Sequence, residues 1–240
     1  VGGDLNLSDC SSLTSLPKGL TVTGDLIISS ELLSLLPDDL KVGGNLDLVY
    51  GKSLTKLPDD LKVGGNLDLS SCSSLRSLPK GLEVTGDLNL WGCISLIELL
   101  ANLQVGGNLI LGLCTSLTKL PDGLKVGGDL NPSDCSSLKL PDGLEVGGNL
   151  VLGYDSSLTK LPDGLKVGVD LNLSDCSSLT KLPDGLEVGG KLYLGGCELL
   201  TNLPDDLKVG GNLILSSCKL LKELPDDLKV IGNLVLSGCK

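Results

Sequence analysis

The chain has 240 residues and a formal net charge of −11, from 30 Asp and Glu against 19 Lys and Arg. That balance argues against nucleic acid and anionic membrane as partners, because both need clustered cations. No apolar run approaches the roughly 20 residues required to insert across a bilayer. There is no His, Met or Phe, and only one Trp and three Tyr beside 33 Gly, so Leu and Val must supply the bulk of any core.

Val1 opens a unit, VGGDLNLSDCSSLTSLPKGLT, that closes at Thr21 and then recurs to the end of the chain. Copies begin at Val1, Val22, Val42, Val63, Val84, Val105, Val126, Val146, Val167, Val188, Val209 and Val230, in nine steps of 21 residues and two of 20. A fixed period in this range is the signature of a solenoid. Each unit packs only on its neighbours, so one elongated domain over residues 1–240 is expected. The chain starts without Met and stops inside its twelfth unit, as an excerpt or processed product would, with any targeting segment outside it.

Positions are counted from the Val of each unit. Position 1 is Val and position 5 is Leu in all twelve copies, and position 7 is Leu or Ile in eleven, Pro132 being the exception. From position 20 through 1, 3, 5 and 7 the pattern alternates apolar or Gly with polar residues. This period of two predicts an extended strand with one face inward, and the Leu at positions 13 and 16 close the far side. Position 17 is Pro in ten of eleven copies, and position 19 is Gly, Asp or Asn in all eleven. Pro fixes φ near −65° and the residues at 19 tolerate positive φ, so Pro-Asp-Gly predicts a tight corner once per coil. No window keeps a 3.6-residue period, so little or no helix is expected.

The string Leu5-Asn6-Leu7-Ser8-Asp9-Cys10 followed by Leu13 resembles the LxLxxN/CxL core of leucine-rich repeats. Leu16-Pro17 and Leu20 resemble the LPxxL element of the bacterial members. The resemblance covers all twelve copies and implies a right-handed coil with a parallel β-sheet. Where the family places Leu three residues before the LxL pair, this chain has Gly2 and its equivalents. Val1 sits four residues before and continues the strand, which predicts a straighter parallel β-solenoid without the family's convex helix. At about 4.8 Å per coil, twelve coils make a rod roughly 55 Å long.

Two copies are one residue short: the second, Val22 to Lys41, and the seventh, Val126 to Glu145, which also carries Pro132. The fifth replaces the corner with Leu100-Ala101-Asn102. All three are expected to be local weak points.

All nine Cys occupy position 10: Cys10, Cys72, Cys93, Cys114, Cys135, Cys176, Cys197, Cys218 and Cys239. Zinc requires ligands converging at short spacing, and no two of these lie closer than 21 residues. They are expected to be reduced, inward-facing thiols. The recurrent Asp at position 18 reads as a solvated corner, offset by Lys at position 21, and no metal or cofactor is expected. Asn or Asp at position 4, in every copy but that of Lys191, reads as a ladder of amide hydrogen bonds between coils, and Ser at positions 11 and 12 as serving backbone groups in the turn.

The chain lacks His, GxSxG and any phosphate-cradling loop leading into a helix, so catalysis is not expected. Two functional classes remain. The first is a non-enzymatic scaffold for protein–protein interaction through the exposed sheet face, as the resemblance implies. Its candidate residues are Ile27, Ile110, Val151, Tyr193 and Ile214 at position 6, Trp91 at position 8, and Tyr50 and Tyr154 at position 9. The second is a structural protein that self-associates end to end into a filament or surface layer, because no capping unit is visible at either end.

Overall fold

The computed structural model describes residues 1–135 and 138–239; Ser136 and Ser137, positions 11 and 12 of the seventh copy, and Lys240 lie outside them. The chain is a parallel β-solenoid, and among the described residues there is no helix. Each copy contributes one coil.

The single strand expected from position 20 to position 7 is two strands. One begins at position 5, running Leu5–Leu7, Leu26–Ile28, Leu46–Asp47 and so on to Leu234–Val235. These form a 12-stranded sheet, called here the Leu sheet. The other spans positions 21 and 1, from Thr21–Val22 and Lys41–Val42 to Lys229–Val230, and forms an 11-stranded Val sheet. The chain bends between them at positions 2 and 3, which are Gly in most coils; the coils with Thr23, Thr85, Ile231 or Val169 there bend alike. At position 2 the backbones lie close: an unshifted Cβ on Gly64 or Gly168 would meet the carbonyl oxygen of Gly43 or Gly147 in the preceding coil. Period-two alternation cannot reveal this bend, because inward and outward sides continue through it.

Both sheets stack every coil in register. Leu5 pairs with Leu26, Leu26 with Leu46, Val22 with Val42 and Val105 with Val126. A third side forms isolated bridges, such as Ser77 with Glu98 and Lys160 with Lys181. The core is one continuous apolar column. In the second coil Val22, Leu26, Ile28, Leu33, Leu36 and Leu40 are all buried, and the pattern repeats along the chain. At position 19 the corner takes positive φ in eight coils, including Gly19 (72°), Asp60 (60°) and Asn102 (56°).

Position 4 does tie the coils, chiefly through a bond to backbone rather than through the side-chain amide bond expected. The side-chain Oδ1 of one coil accepts the backbone N–H of position 4 in the next, at 2.6–2.9 Å from Asp4–Asp25 to Asn212–Asn233. The rung needs only an acceptor oxygen, so Asp serves as well as Asn; the expected amide bond is made where Asn45 Nδ2 donates to Asp25 Oδ2 at 3.2 Å. Lys191 has no acceptor, and the rung to Asn212 is missing. The Ser-rich turn is likewise closed mainly by backbone: Cys72 N–H donates to Leu69 O and Leu75 N–H to Cys72 O.

The two short copies absorb their deletions at different places. In the second, position 9 is lost and Ser30 takes the buried site of Cys, donating to the Leu13 carbonyl at 2.7 Å. In the seventh the loss falls between Leu138 and Lys139, and Lys139 still bridges Lys119. Pro132 is buried in the inward position. Elsewhere the N–H of position 7 donates to position 6 of the next coil, as Leu111 does to Asn131 at 2.8 Å and Leu152 to Asn172 at 2.9 Å. Pro132 cannot, and the Val151 carbonyl loses that donor.

Two stability changes are expected. Pro132→Leu restores a ladder hydrogen bond worth about 1 kcal/mol and adds side-chain burial of order 1 kcal/mol. Thermal unfolding should shift upward, and amide exchange at Leu150–Val151 should slow toward that at Leu171–Asn172. Unchanged melting would show that the seventh coil has repacked around its proline. Lys191→Asn completes the position-4 ladder and should add about 1 kcal/mol in urea unfolding, whereas Lys191→Ala should not.

Candidate functional site

Position 10 is the most regular chemical feature of the chain. Each buried thiol donates to the carbonyl of position 7 in the preceding coil: Cys72 to Leu48 at 3.3 Å, Cys93 to Leu69 at 3.2 Å, Cys114 to Leu90 at 3.1 Å, and onward to Cys218 and Leu194 at 3.2 Å. Cys is small enough for the turn, apolar enough for the core, and still a weak donor. All nine thiols are free; seven are buried, Cys239 is half-buried and Cys10 is exposed. Cys10 holds the same turn, its N–H donating to Leu7 O at 3.1 Å, but in the first coil it is exposed rather than buried.

Burial pushes Cys72, Cys93 and Cys197 up to about 12, and Cys176 and Cys218 to about 11, from an ordinary 9.0. Such thiols are inert as nucleophiles. The corner aspartates serve the turn: Asp39 accepts Gly19 N–H at 2.8 Å, Asp59 accepts Lys80 N–H at 3.0 Å, and Asp206 accepts Gly185 N–H at 2.8 Å. Lys at position 21 offsets them with no ion pair among the described residues, Asp206 adding to the larger effect of Glu187 in raising the pKa of Lys208. It pairs with Glu of the same column, in Lys62–Glu83 at 3.0 Å, Lys166–Glu145 at 3.0 Å, and Lys208–Glu187. Among the described residues no three potential metal ligands converge.

The outward face of the Leu sheet is built from positions 6 and 8 and the turn residue at 9. Where position 6 is Asn or Asp, its Oδ1 accepts the N–H of position 8, as in Asn6–Ser8 at 2.9 Å, Asp68–Ser70 at 2.8 Å and Asn172–Ser174 at 3.0 Å. Ile27, Ile110, Val151, Tyr193 and Ile214 give up this bond. They sit half-buried on the face rather than projecting freely. In the eleventh strand Ile214 pairs with Tyr193, so these two form a short apolar row.

Position 9 adopts positive φ in coils three to twelve. Small or Asx residues fill it in most of them, such as Ser71, Gly92, Asp134, Asp175 and Gly196. Tyr50 (φ 62°), Leu113 (φ 61°) and Tyr154 (φ 67°) hold the same conformation with bulky side chains. That conformation costs an L-residue roughly 1–2 kcal/mol, and Tyr154 recovers little by packing, being 78% exposed. Trp91 is 46% exposed and reaches over the next coil: a Cβ on Gly112 would lie 2.6 Å from Trp91 Cδ1.

The fifth coil adds two residues that the sequence reading passed over. Ile94 and Ile97, at positions 11 and 14, are exposed on the same coil as Trp91. Their signal was present as departures from the Ser and Thr usual there. Tyr50, Trp91 and Tyr154 lie in coils three, five and eight and do not form one cluster, whereas Trp91, Ile94 and Ile97 share one turn.

No protein-family model, curated protein or solved structure matches the chain. The description therefore stands on the geometry: a parallel β-solenoid of about 21-residue coils with an aromatic-bearing sheet face.

The thiols generate a pH prediction. The folded pKa of Cys72, Cys93, Cys176, Cys197 and Cys218 lies above the unfolded value, so the stability these five confer is complete below about pH 9 and is lost as pH rises toward 11–12. Urea unfolding from pH 8 to 10.5 should show a decline of at most about 1.4 kcal/mol per pH unit for each buried thiol. Cys93→Ala should make the decline shallower. At pH 8, native titration should find Cys10 first, and denaturation should release all nine thiols; a flat pH profile would mean that the thiols are solvated.

Proposed function

We propose that the chain is a non-enzymatic scaffold that binds a protein partner through the outward face of the Leu sheet and its adjoining turn, centred on Trp91. The observation that carries this reading is the placement of bulky side chains at position 9. Tyr50 and Tyr154 occupy a conformation that penalises them, in a turn where Ser, Asp or Gly serves the other coils. The fold gains little from them, since both rings lie largely in solvent. Aromatic groups held on a rigid scaffold with few torsions to freeze are suited to anchor a partner. Ile94 and Ile97 add exposed apolar side chains to the coil of Trp91, and the loss of the Asx bond at position 6 points the same way.

The leucine-rich-repeat resemblance supports this reading, because that family binds partners on the sheet face. The partner is a protein that presents an apolar surface with a basic rim, complementary to a chain of net charge −11.

The test is affinity capture with quantitative mass spectrometry, comparing wild type with Trp91→Ala and Tyr154→Asn. Asn tolerates positive φ, so Tyr154→Asn should raise the melting temperature by about 1 kcal/mol worth of stability. Both variants should reduce recovery of the same captured protein by about tenfold or more, as expected for anchor residues. Undiminished capture by folded variants would remove the sheet face as the binding surface.

A further inference from the structure

The Val sheet presents a second face, at positions 21 and 2. A groove of about 870 Å³ runs along it from Lys125 to Ile231, floored by Val and Gly and walled by the column of charges at position 21. None of the corner aspartates lines it. We propose that a second copy of this chain occupies the face, packed antiparallel, with the two-fold axis between Glu145 and Lys166.

Charge complementarity selects the occupant and its register. Along the column, position 21 reads Glu83, Gln104, Lys125, Glu145, Lys166, Glu187, Lys208 and Lys229. An antiparallel pair brings the column against its own reverse. With the axis between Glu145 and Lys166, those two oppose each other across the interface. Lys125 then opposes Glu187, Gln104 opposes Lys208, and Glu83 opposes Lys229. No like charges meet over eight strands. An axis one strand earlier opposes Glu83 to Glu187, and one strand later opposes Lys125 to Lys229. An axis through any charged residue opposes that residue to itself.

The position-2 column carries the same centre independently. Gly106, Gly127, Gly147, Gly168, Gly189 and Gly210 leave bare backbone over six consecutive strands, bounded in sequence by Thr85 and Ile231; the groove covers Gly127 to Ile231, and Thr85 and Gly106 line a depression adjoining it at Lys125 and Gly127. The middle of that run falls between Gly147 and Gly168, on the strands of Glu145 and Lys166. Two sheets can therefore approach closest where the charges match best, with the side chains of Thr85 and Ile231 at the rims.

Eight strands at about 4.8 Å give a contact roughly 38 Å long. With a width of two or three residues, it buries on the order of 1,000 Å² in total, the lower limit for a specific interface. A concentration-dependent dimer follows rather than a permanent one. The exposed charges set register and specificity more than affinity.

Sedimentation equilibrium over a concentration series tests the proposal. Lys125→Glu and Glu187→Lys should each weaken the dimer by about tenfold or more, because like charges then meet. An equimolar mixture of the two variants should dimerise again, since each restores the other's complement. In wild type, carbodiimide should join Lys125 to Glu187; within one chain these lie three coils apart, about 14 Å, beyond a zero-length link. A wild type that stays monomeric throughout would overturn the proposal. So would a dimer that neither variant weakens, or a mixture no more associated than its components.

Discussion

In-register stacking at a single coil spacing is the constraint on which the rest of the structure depends. Every residue lies beside its own counterpart in the next coil, so a position is usable only if its side chain tolerates a neighbour of the same kind. Leu and Val meet this condition by packing. Asp and Asn at position 4 meet it by accepting from backbone, which lets carboxylate follow carboxylate without a shared proton, as Asp4 and Asp25 do. Cys at position 10 meets it by donating to the coil before rather than to the adjacent thiol. At position 21 the column alternates Lys and Glu from Lys125 to Lys208, where long charged chains would otherwise repel.

Against that background, the residues that break a column's rule stand out by what they give up. Tyr154 and Leu113 accept an unfavourable backbone conformation, and Ile110 and Val151 forgo a turn-closing bond made by Asn131 and Asn172. Each loss is local. In a solenoid the cost is shared with two neighbours only, so the array can present variable side chains on one face without endangering distant coils. The two sheets then divide the work: the Leu sheet shows a varied face, the Val sheet a uniform one of glycines and paired charges.

The irregular coils show how the stack tolerates error. The second coil loses its position-9 residue outright, and a serine hydroxyl replaces the thiol. The seventh keeps its bridges at Lys139 but surrenders one ladder bond at Pro132. Both deletions fall outside the two sheets, whose register is untouched.

Much of this was legible in the sequence. The period, the inward Leu and Val, the corner at positions 17 to 19 and the absence of helix follow from spacing and from the conformational limits of Pro and Gly. Outward placement of positions 6 and 8 follows from alternation alone. Tertiary structure decided the rest, because it depends on what the neighbouring coil presents. The split into two sheets recurs in every coil, including those with Thr23, Thr85 or Ile231 at position 2, and shows only in the stacked backbone. The backbone partner of position 4, the thiol bond of position 10 and the Lys–Glu column are bonds between coils 20 to 24 residues apart. The positive φ at position 9 could not be read from Tyr50, Leu113 or Tyr154, whose types argue against it. A one-dimensional pattern fixes which side of the chain each residue takes, and only the stacked coils determine which atoms it meets there.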